Sequence, residues 1–173
     1  MTRAVLSIGS NLGDRLARLQ SVVDGLGESV VAVSPVYETV PWGGVEQGSF
    51  LNAVIVARNP QLDGHGWLQR GQQLERAAER VRGQRWGPRT LDVDLVSCSD
   101  NGTEIVVREP DLTLPHPLAH LRAFVLVPWL DIDPDARLTV AGAAVPVTRL
   151  LEDIEPVDKA GVMPTDLTLR CDV

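Results

Sequence analysis

Residues 85–95 (RWGPRTLDVDL) hold the side chains best suited to bind a charged ligand. A Gly-Pro pair at 87–88 leads directly into an apolar run that contains Asp92 and Asp94. Side chains alternate along a strand, so the two aspartates share one face and the apolar residues between them share the other. Two carboxylates so close together repel unless a cation lies between them, and Mg²⁺ prefers oxygen ligands of this kind. The alternative is an exposed strand face with an ion pair to Arg89.

The distribution of charge points to a local anionic ligand. The net charge is −7, which argues against non-specific nucleic-acid binding. Five of the 16 basic residues nevertheless fall within one short stretch: Arg76, Arg80, Arg82, Arg85 and Arg89. The sequence has no GxxxxGK[ST] motif, which excludes a P-loop. If a nucleotide binds, arginines and metal ions must therefore hold its phosphates.

Hydrophobic periodicity predicts the elements that position these groups. Short apolar or β-branched runs predict strands at residues 4–9, 30–36, 50–57, 91–96 and 105–107. Helical spacing predicts helices over 12–26 and 67–81, and one or two short helices within 117–130. The order is β-α-β-β-α-β followed by additional elements, which predicts an α+β fold: a ferredoxin-like α/β sandwich with a mostly antiparallel sheet and helices packed on it.

Length and composition predict one domain over residues 1–173, with 155–173 as an irregular C-terminal tail. No apolar run approaches the length of a membrane span, and the first residues lack the pattern of a signal peptide. Cys98 and Cys171 are too few and too isolated for a disulfide framework. We therefore expect a cytoplasmic monomer without membrane or nucleic-acid partners.

A strand face near the middle of the chain carries one conspicuous polar residue. Phe50, Asn52, Val54 and Val56 lie on the same side of the predicted strand. An amide in this apolar row needs hydrogen-bond partners, because an unpaired buried amide is costly.

Several of these segments together resemble 6-hydroxymethyl-7,8-dihydropterin pyrophosphokinases. The resemblance lies in residues 85–95 and in four further motifs that occur in the family's order: 8–14 (IGSNLGD), 34–39 (SPVYET), 50–53 (FLNA) and 114–117 (LPHP). It covers residues 1 to about 135. It implies a ferredoxin-like fold and transfer of pyrophosphate from ATP to the pterin hydroxymethyl group, a step in folate biosynthesis that yields AMP and the pterin pyrophosphate.

The resemblance also implies roles for residues on the nucleotide side. Asp92 and Asp94 resemble the ligands of two Mg²⁺ ions that bridge the ATP phosphates. Arg80, Arg82 and Arg89 resemble catalytic arginines that contact phosphate, and the latter two are also expected to bind ATP. Further ATP contacts are implied at Gln72, Glu75, Trp86, Leu95, Thr113, His116 and Arg122. The alternatives are a solvated basic helix end for Arg80 and Arg82, boundary residues for Gln72 and Glu75, and a loop histidine for His116.

The pterin side is implied by a second set of residues, and the ring's amide-like edge matches the donor and acceptor of an Asn. The implied contacts are Thr39, Val40, Trp42, Phe50, Asn52, Trp86, Asp92 and Phe124. Phe50 and Phe124 resemble the aromatic pair that sandwiches the ring, and the alternative is that both are ordinary core residues. Val40 and Pro117 depart from residues frequent in the family.

Two other classes of protein remain possible from the residues alone. One is a non-catalytic ferredoxin-like module that binds a small ligand or RNA, although the net negative charge opposes RNA. The other is a different Mg²⁺-dependent enzyme acting on phosphate substrates, such as a pyrophosphohydrolase.

Overall fold

A computed structural model describes residues 1–40, 48–80 and 91–171, with only the backbone of Arg80. The strands are β1 (Thr2–Ser10), β2 (Val30–Val33), β3 (Tyr37–Thr39), β4 (Phe50–Asn59), β5 (Asp92–Asp100), β6 (Thr103–Glu104), β7 (Val107–Arg108), β8 (Thr113–Leu114), β9 (Arg137–Val140), β10 (Ala143–Pro146) and β11 (Val162–Pro164). The helices are α1 (Arg15–Leu26), α2 (Gly64–Arg80), α3 (Ala123–Ile132), α4 (Val147–Glu152) and α5 (Pro156–Ala160).

The predicted order β-α-β-β-α-β is confirmed by β1, α1, β2, β4, α2 and β5. The main sheet has the order β11-β3-β4-β1-β5-β6, with β2 also paired to β4, and all its pairings are antiparallel. β1 lies at the centre, between β4 and β5. The fold is therefore α+β with an antiparallel sheet, as predicted.

Helices cover both faces of the sheet, and alternation along the strands supplies a core on each side. The first core lies under α1 and α2 and includes Ile8, Leu19, Trp67 and Val93. The second core lies under α3 and α4 and includes Val54, Val56, Val96, Leu126 and Trp129. No helix in the described part of the chain is long and apolar enough to cross a membrane.

Both ends of α1 have local stop signals, and the helix begins at Arg15 rather than at the predicted residue 12. The Asp14 carboxylate accepts a hydrogen bond from the Ala17 N–H at 3.1 Å, which caps the first turn. Gly27 ends the helix with φ of +54°, a backbone angle that side-chain-bearing residues rarely adopt.

Three predictions of elements need correction. The strand predicted over 30–36 is shorter: β2 ends at Val33, before Pro35, and β3 begins only at Tyr37. The strand predicted over 105–107 is replaced by β6 and β7 on either side, although the Ile105 N–H still donates to the Cys98 carbonyl at 2.8 Å. The tail predicted to be irregular contains α5 and β11, and β11 forms by pairing with β3 at an edge of the sheet. Residues 165–171 do lack regular structure.

Candidate active site

A cavity of about 680 Å³ opens on the face of the sheet that carries the second core. It is lined by residues from three neighbouring strands, from the end of β3 and from the segment leading into α3: Ser7, Gly9, Thr39, Val40, Phe50, Asn52, Asp92, Asp94, His116, Leu118, Leu121, Arg122 and Phe124. Side chains from distant parts of the sequence therefore meet around one space.

The central strand β1 forms the floor between the two polar sides of the cavity. Gly9 is paired with Asn52 on one neighbouring strand and with Asp92 on the other. Ser7, one step along the same face, is paired with Asp94. Two inter-strand spacings separate β4 from β5, or about 10 Å. That separation allows one ligand to contact the amide side and the carboxylate side at once.

Asn52 is held in a defined orientation by its neighbours. Its side chain is only 4% exposed, and the Thr39 hydroxyl donates to its Oδ1 at 2.6 Å. A Cβ placed on Gly9 would lie 2.7 Å from the Asn52 Nδ2, so only glycine leaves room for the amide there. The acceptor of the amide is thus occupied, and its donor group lies over the floor of the cavity.

Phe50 and Phe124 contribute the aromatic surface of the cavity. They are the two phenylalanines of the sequence, and both are only partly buried rather than sealed in a core. The Arg122 guanidinium lies over the Phe124 ring, 5.6 Å from its centroid, in a cation–π contact. The site therefore offers aromatic faces suited to a flat ring.

The carboxylate side consists of Asp92 and Asp94 on the outward face of β5. The alternating residues of this strand, Val93 and Leu95, are buried in the first core, which confirms the predicted split between faces. The Asp94 side chain is 43% exposed, and its Oδ2 lies 3.7 Å from the Arg122 Nη1. Paired, partly exposed carboxylates on one strand face fit Mg²⁺, which keeps several waters when bound.

Glu75 supports the strand that carries these aspartates. Its Oε2 accepts a hydrogen bond from the Val93 N–H at 3.2 Å, between the two carboxylates in sequence. Gly71, one turn earlier in α2, lets the helix approach this strand, since a Cβ there would lie 3.1 Å from the Val93 Cγ1. The helix thus holds β5 in place from the side opposite the cavity.

His116 enters the cavity as a neutral hydrogen-bond donor. Burial lowers the pKa of His116, and the Arg122 cation lowers it further, while Asp94 opposes the shift. The Leu118 N–H donates to the His116 Nδ1 at 3.1 Å, so the ring proton of the neutral form sits on Nε2. The backbone N–H of His116 donates to the Val96 carbonyl at 2.8 Å, and this bond connects the segment to β5.

Most of the predicted site residues that the structure describes meet in this cavity. Those that line it are Thr39, Val40, Phe50, Asn52, Asp92, Asp94, His116, Arg122 and Phe124. Four others do not line it: Gln72 and Thr113 are exposed, Glu75 contacts the backbone of β5, and the Leu95 side chain lies in the first core on the opposite face. Trp42, Arg82, Trp86, Arg89 and the side chain of Arg80 lie outside the described residues.

Sequence reasoning missed four residues that line the cavity: Ser7, Gly9, Leu118 and Leu121. The signal for the first two was present in the sequence of β1. Val5, Ser7 and Gly9 share one face, and that face changes from a buried valine to small residues towards the end of the strand. Such a change leaves space above the sheet where a core would otherwise continue.

The fold and the site define an α+β protein with a cavity that offers aromatic and amide contacts on one side and, on the other, paired carboxylates beside the Arg122 guanidinium. A family profile described as 7,8-dihydro-6-hydroxymethylpterin-pyrophosphokinase (HPPK) matches residues 5–134. Two curated relatives, from Mycobacterium leprae and Mycobacterium tuberculosis, are each named 2-amino-4-hydroxy-6-hydroxymethyldihydropteridine pyrophosphokinase. The first is 65% identical over 176 residues, covering 98% of this chain and 92% of the relative. The second is 63% identical over 167 residues, covering 94% and 89%.

The chain belongs to the 7,8-dihydro-6-hydroxymethylpterin-pyrophosphokinase family, whose members transfer pyrophosphate from ATP to hydroxymethyldihydropterin in folate synthesis. Among solved structures, wild-type Plasmodium falciparum HPPK-DHPS with pterin and p-hydroxybenzoate matches with a TM-score of 0.62 and 14% identity. The match covers 87% of this chain and 42% of that longer chain, and at this identity it shows a shared fold.

Proposed function

We propose that the cavity of about 680 Å³ is where this protein transfers the pyrophosphoryl group of ATP to the hydroxyl of 6-hydroxymethyl-7,8-dihydropterin. The observation that carries the proposal is the pairing of Gly9 with both Asn52 and Asp92. It puts a buried amide and a pair of carboxylates about 10 Å apart across one floor. A pterin bound at the amide would then point its hydroxymethyl group towards phosphates bound at the carboxylates.

On the pterin side, the proposed contacts are Thr39, Val40, Phe50, Asn52 and Phe124. The Asn52 amide, oriented by the Thr39 hydroxyl, offers N–H donors that match the acceptors on the ring's amide-like edge. The two phenylalanines offer apolar faces that exclude water from the ring. Trp42, Trp86 and Asp92 complete the proposed pterin set.

On the nucleotide side, Asp92 and Asp94 would hold two Mg²⁺ ions. The ions, when bound, would neutralise charge on the phosphates of ATP. Arg122 and the Nε2–H of His116 can donate to phosphate oxygens, because both side chains line the cavity and lie near Asp94. Arg80, Arg82 and Arg89 are proposed as further phosphate contacts, and Trp86 as a further nucleotide contact. Gln72, Glu75, Leu95 and Thr113 do not line the cavity, so nucleotide contacts proposed at these positions would lie outside it.

The reaction forms a bond from the pterin hydroxyl oxygen to the β-phosphorus of ATP and breaks the bond to the oxygen that stays with AMP. The task of the protein is to align these groups and to offer donors where negative charge gathers. The donors on Arg122 and His116 serve the phosphates, and Asn52 with Thr39 fixes the direction from which the hydroxyl arrives. The aromatic side keeps water, the competing nucleophile, away from the phosphorus.

A hydrolase acting on phosphates, or a binding module without catalysis, is less well supported. A pyrophosphohydrolase transfers phosphate to water and needs no binding site for an acceptor molecule. This cavity has a buried amide and both phenylalanines on the side away from the carboxylates, which suits an acceptor ring. A simple binding module needs no pair of same-face carboxylates beside a cation.

We further propose that the 173-residue chain acts as one unit, as a monomer in the cytoplasm, on two small molecules. Both cysteines are free thiols, which is consistent with a reducing compartment.

A single assay tests the function. The protein is incubated with MgATP and 6-hydroxymethyl-7,8-dihydropterin, and the nucleotide products are separated. We expect AMP, formed only when both the pterin and Mg²⁺ are present. ADP as product, or AMP released without pterin, would contradict pyrophosphoryl transfer.

A further inference from the structure

The segment formed by residues 156–171, here called the C-terminal segment, lies beyond the part of the chain that the family profile matches. It begins with α5, continues through β11 and ends in an extended stretch. β11 adds itself to the edge of the main sheet beside β3. The segment therefore reaches the strand that carries Thr39 into the cavity.

The C-terminal segment makes hydrogen bonds along the edge of β3 that faces away from β4. Val162 pairs with Thr39, and the Val40 N–H donates to the Gly161 carbonyl at 3.3 Å. At the other end of the strand, the Thr165 hydroxyl donates to the Val36 carbonyl at 2.7 Å. The Val36 N–H also donates to the Leu167 carbonyl at 3.4 Å. Residues 36–40 are thus bonded to the C-terminal segment from end to end.

This support matters because β3 is only three residues long. On its inner side it pairs with β4, where Tyr37 is opposite Asn52 and Thr39 is opposite Phe50. The Thr39 hydroxyl fixes the Asn52 amide. A shift of β3 would therefore move a hydrogen-bond partner of the buried amide, whereas the pairing of β1 with β4 and with β5 does not involve β3.

The C-terminal segment also shapes space next to the cavity. A second cavity of about 380 Å³ shares Thr39, Val40, Leu121, Arg122 and Phe124 with the first, and its lining also includes residues 157, 158, 161 and 162. The far end of the segment is fastened to α1. The Gln20 side chain donates to the Arg170 carbonyl at 2.7 Å and accepts from the Arg170 N–H at 2.9 Å.

We infer that the C-terminal segment is a positioning element for pterin binding. It holds β3 in place, so that Thr39 and Val40 are correctly positioned to contact the ring. The effect is selective because β5, which carries the proposed metal ligands, is four strands away from β11 in the sheet, or about 19 Å. This inference rests on the proposed function for the identity of the ligand.

The test removes one hydroxyl of the C-terminal segment and measures the two ligands separately. Thr165→Val deletes the hydroxyl that donates to the Val36 carbonyl and accepts from the Leu167 N–H, and Thr168→Val is the matched control at an exposed position three residues on. Calorimetry gives the Kd for 6-hydroxymethyl-7,8-dihydropterin in the presence of Mg²⁺ and a non-hydrolysable ATP analogue, and the Kd for the analogue alone.

For Thr165→Val we expect a roughly two- to tenfold weaker pterin affinity, because the bond to Val36 is lost and the Leu167 N–H loses its acceptor, with analogue affinity unchanged. Amide exchange at Val36 and Val40 should become faster, and the control should behave as wild type. Equal weakening of both ligands, or wild-type pterin affinity despite faster exchange at β3, would overturn the inference.

A second variant is needed in case the effect of Thr165→Val on pterin affinity is too small to measure. A chain ending at Pro164 retains β11 but loses the bonds from Thr165, Leu167 and Arg170. It should lose more pterin affinity than Thr165→Val, while still binding the analogue. Failure of the wild-type protein to form AMP from ATP and pterin would instead count against the proposed function, because the binding measurements do not depend on turnover.

Discussion

At the scale of single residues, the polar groups on the two sides of the cavity differ in burial and in the hydrogen-bond partners they need. Asn52 is buried and must be fully bonded, whereas Asp94 is partly exposed and can keep water or exchange it for a ligand. A buried amide is specific because a mismatched ligand leaves its N–H groups unpaired. Exposed carboxylates on one strand face are suited to bind a cation that brings its own waters.

Replacing either aspartate with asparagine should abolish turnover and leave the fold intact. Asp92→Asn and Asp94→Asn each remove one ligand charge, and loss of several kcal/mol of transition-state stabilisation corresponds to at least about a hundredfold lower kcat. The melting temperature should hold or rise, since like-charge repulsion is relieved. Asp100→Asn, at the exposed far end of the same strand, serves as the control. A variant at 92 or 94 with near-normal kcat at ordinary Mg²⁺ would show that the metal assignment is wrong.

Asn52→Ala should weaken pterin binding far more than ATP binding. The substitution removes the N–H donors over the floor of the cavity and leaves the Thr39 hydroxyl without its acceptor. Titration of the folded variant with each ligand would check this prediction. Equal losses for pterin and for an ATP analogue would favour a purely structural role.

Gly9→Ala tests the same subsite without touching a ligand-binding side chain. The new Cβ would lie 2.7 Å from the Asn52 Nδ2, so the amide must move. We expect weaker pterin binding with little change in secondary structure by circular dichroism. The double variant Gly9→Ala, Asn52→Ala should be no worse for pterin than Asn52→Ala alone, because the clash then has no partner; additive losses would contradict this explanation.

At the scale of elements, alternation along strands could be predicted because it depends only on local spacing. The predicted faces of β4 and β5 are both confirmed, with Asn52 and the aspartates on one side and the alternating apolar residues in the first core. The stop of α1 at Gly27 could also be predicted, since it needs only a positive φ.

Relations between distant segments could not be predicted in this way. The pairing of Gly9 with both Asn52 and Asp92 depends on the register of three strands, which no local pattern encodes. β5 also contains one extra residue, since Val5 pairs with Ser97 while Leu6 pairs with Leu95. β11 was missed because a three-residue strand forms only through its partner, β3, more than a hundred residues earlier.

Glu75 gives a prediction about how α2 supports β5. Glu75→Ala removes the acceptor for the Val93 N–H and should cost roughly 1 kcal/mol of stability. It should also lower kcat, because the strand carrying the aspartates becomes less firmly held. Glu75→Gln keeps an acceptor oxygen and should retain most of both properties, and Glu79→Ala, one turn on and exposed, is the control. Lost nucleotide affinity at unchanged stability would instead favour the direct ATP contact implied by the family resemblance.

At the scale of the whole molecule, the cavity lies where the second core stops. Val5, Val54 and Val56 are buried in that core, and the same strand faces then present Ser7, Gly9 and Asn52 to the cavity. The binding site is therefore supported from below by a packed layer that the same three strands build. The site therefore lies mainly on the central strands of the sheet. Its edge at β3 is the part whose position depends on the C-terminal segment.

A hydrogen bond joins β3 directly to helix α3, which covers the second core. The Tyr37 hydroxyl in β3 donates to the Asp131 carboxylate in α3. Burial raises the pKa of Tyr37 to about 12, and the hydrogen bond and negative charge of Asp131 add to the shift. Since Tyr37 is the one tyrosine of the sequence, its ionisation can be followed by ultraviolet absorbance without interference from other tyrosines.

We expect the tyrosinate absorbance of the folded protein to rise with a midpoint near pH 12, and that of the urea-unfolded chain near pH 10. Because the folded-state pKa is the higher one, the stabilisation linked to Tyr37 is fully present below pH 10 and is lost as pH rises towards 12. Urea unfolding of wild type and Tyr37→Phe at a series of pH values measures this loss. The stability advantage of wild type should be constant below pH 10 and should shrink above it. An advantage that stayed constant through pH 12, or a folded-state midpoint near 10, would show that the contact between β3 and α3 does not hold the phenol in its neutral form.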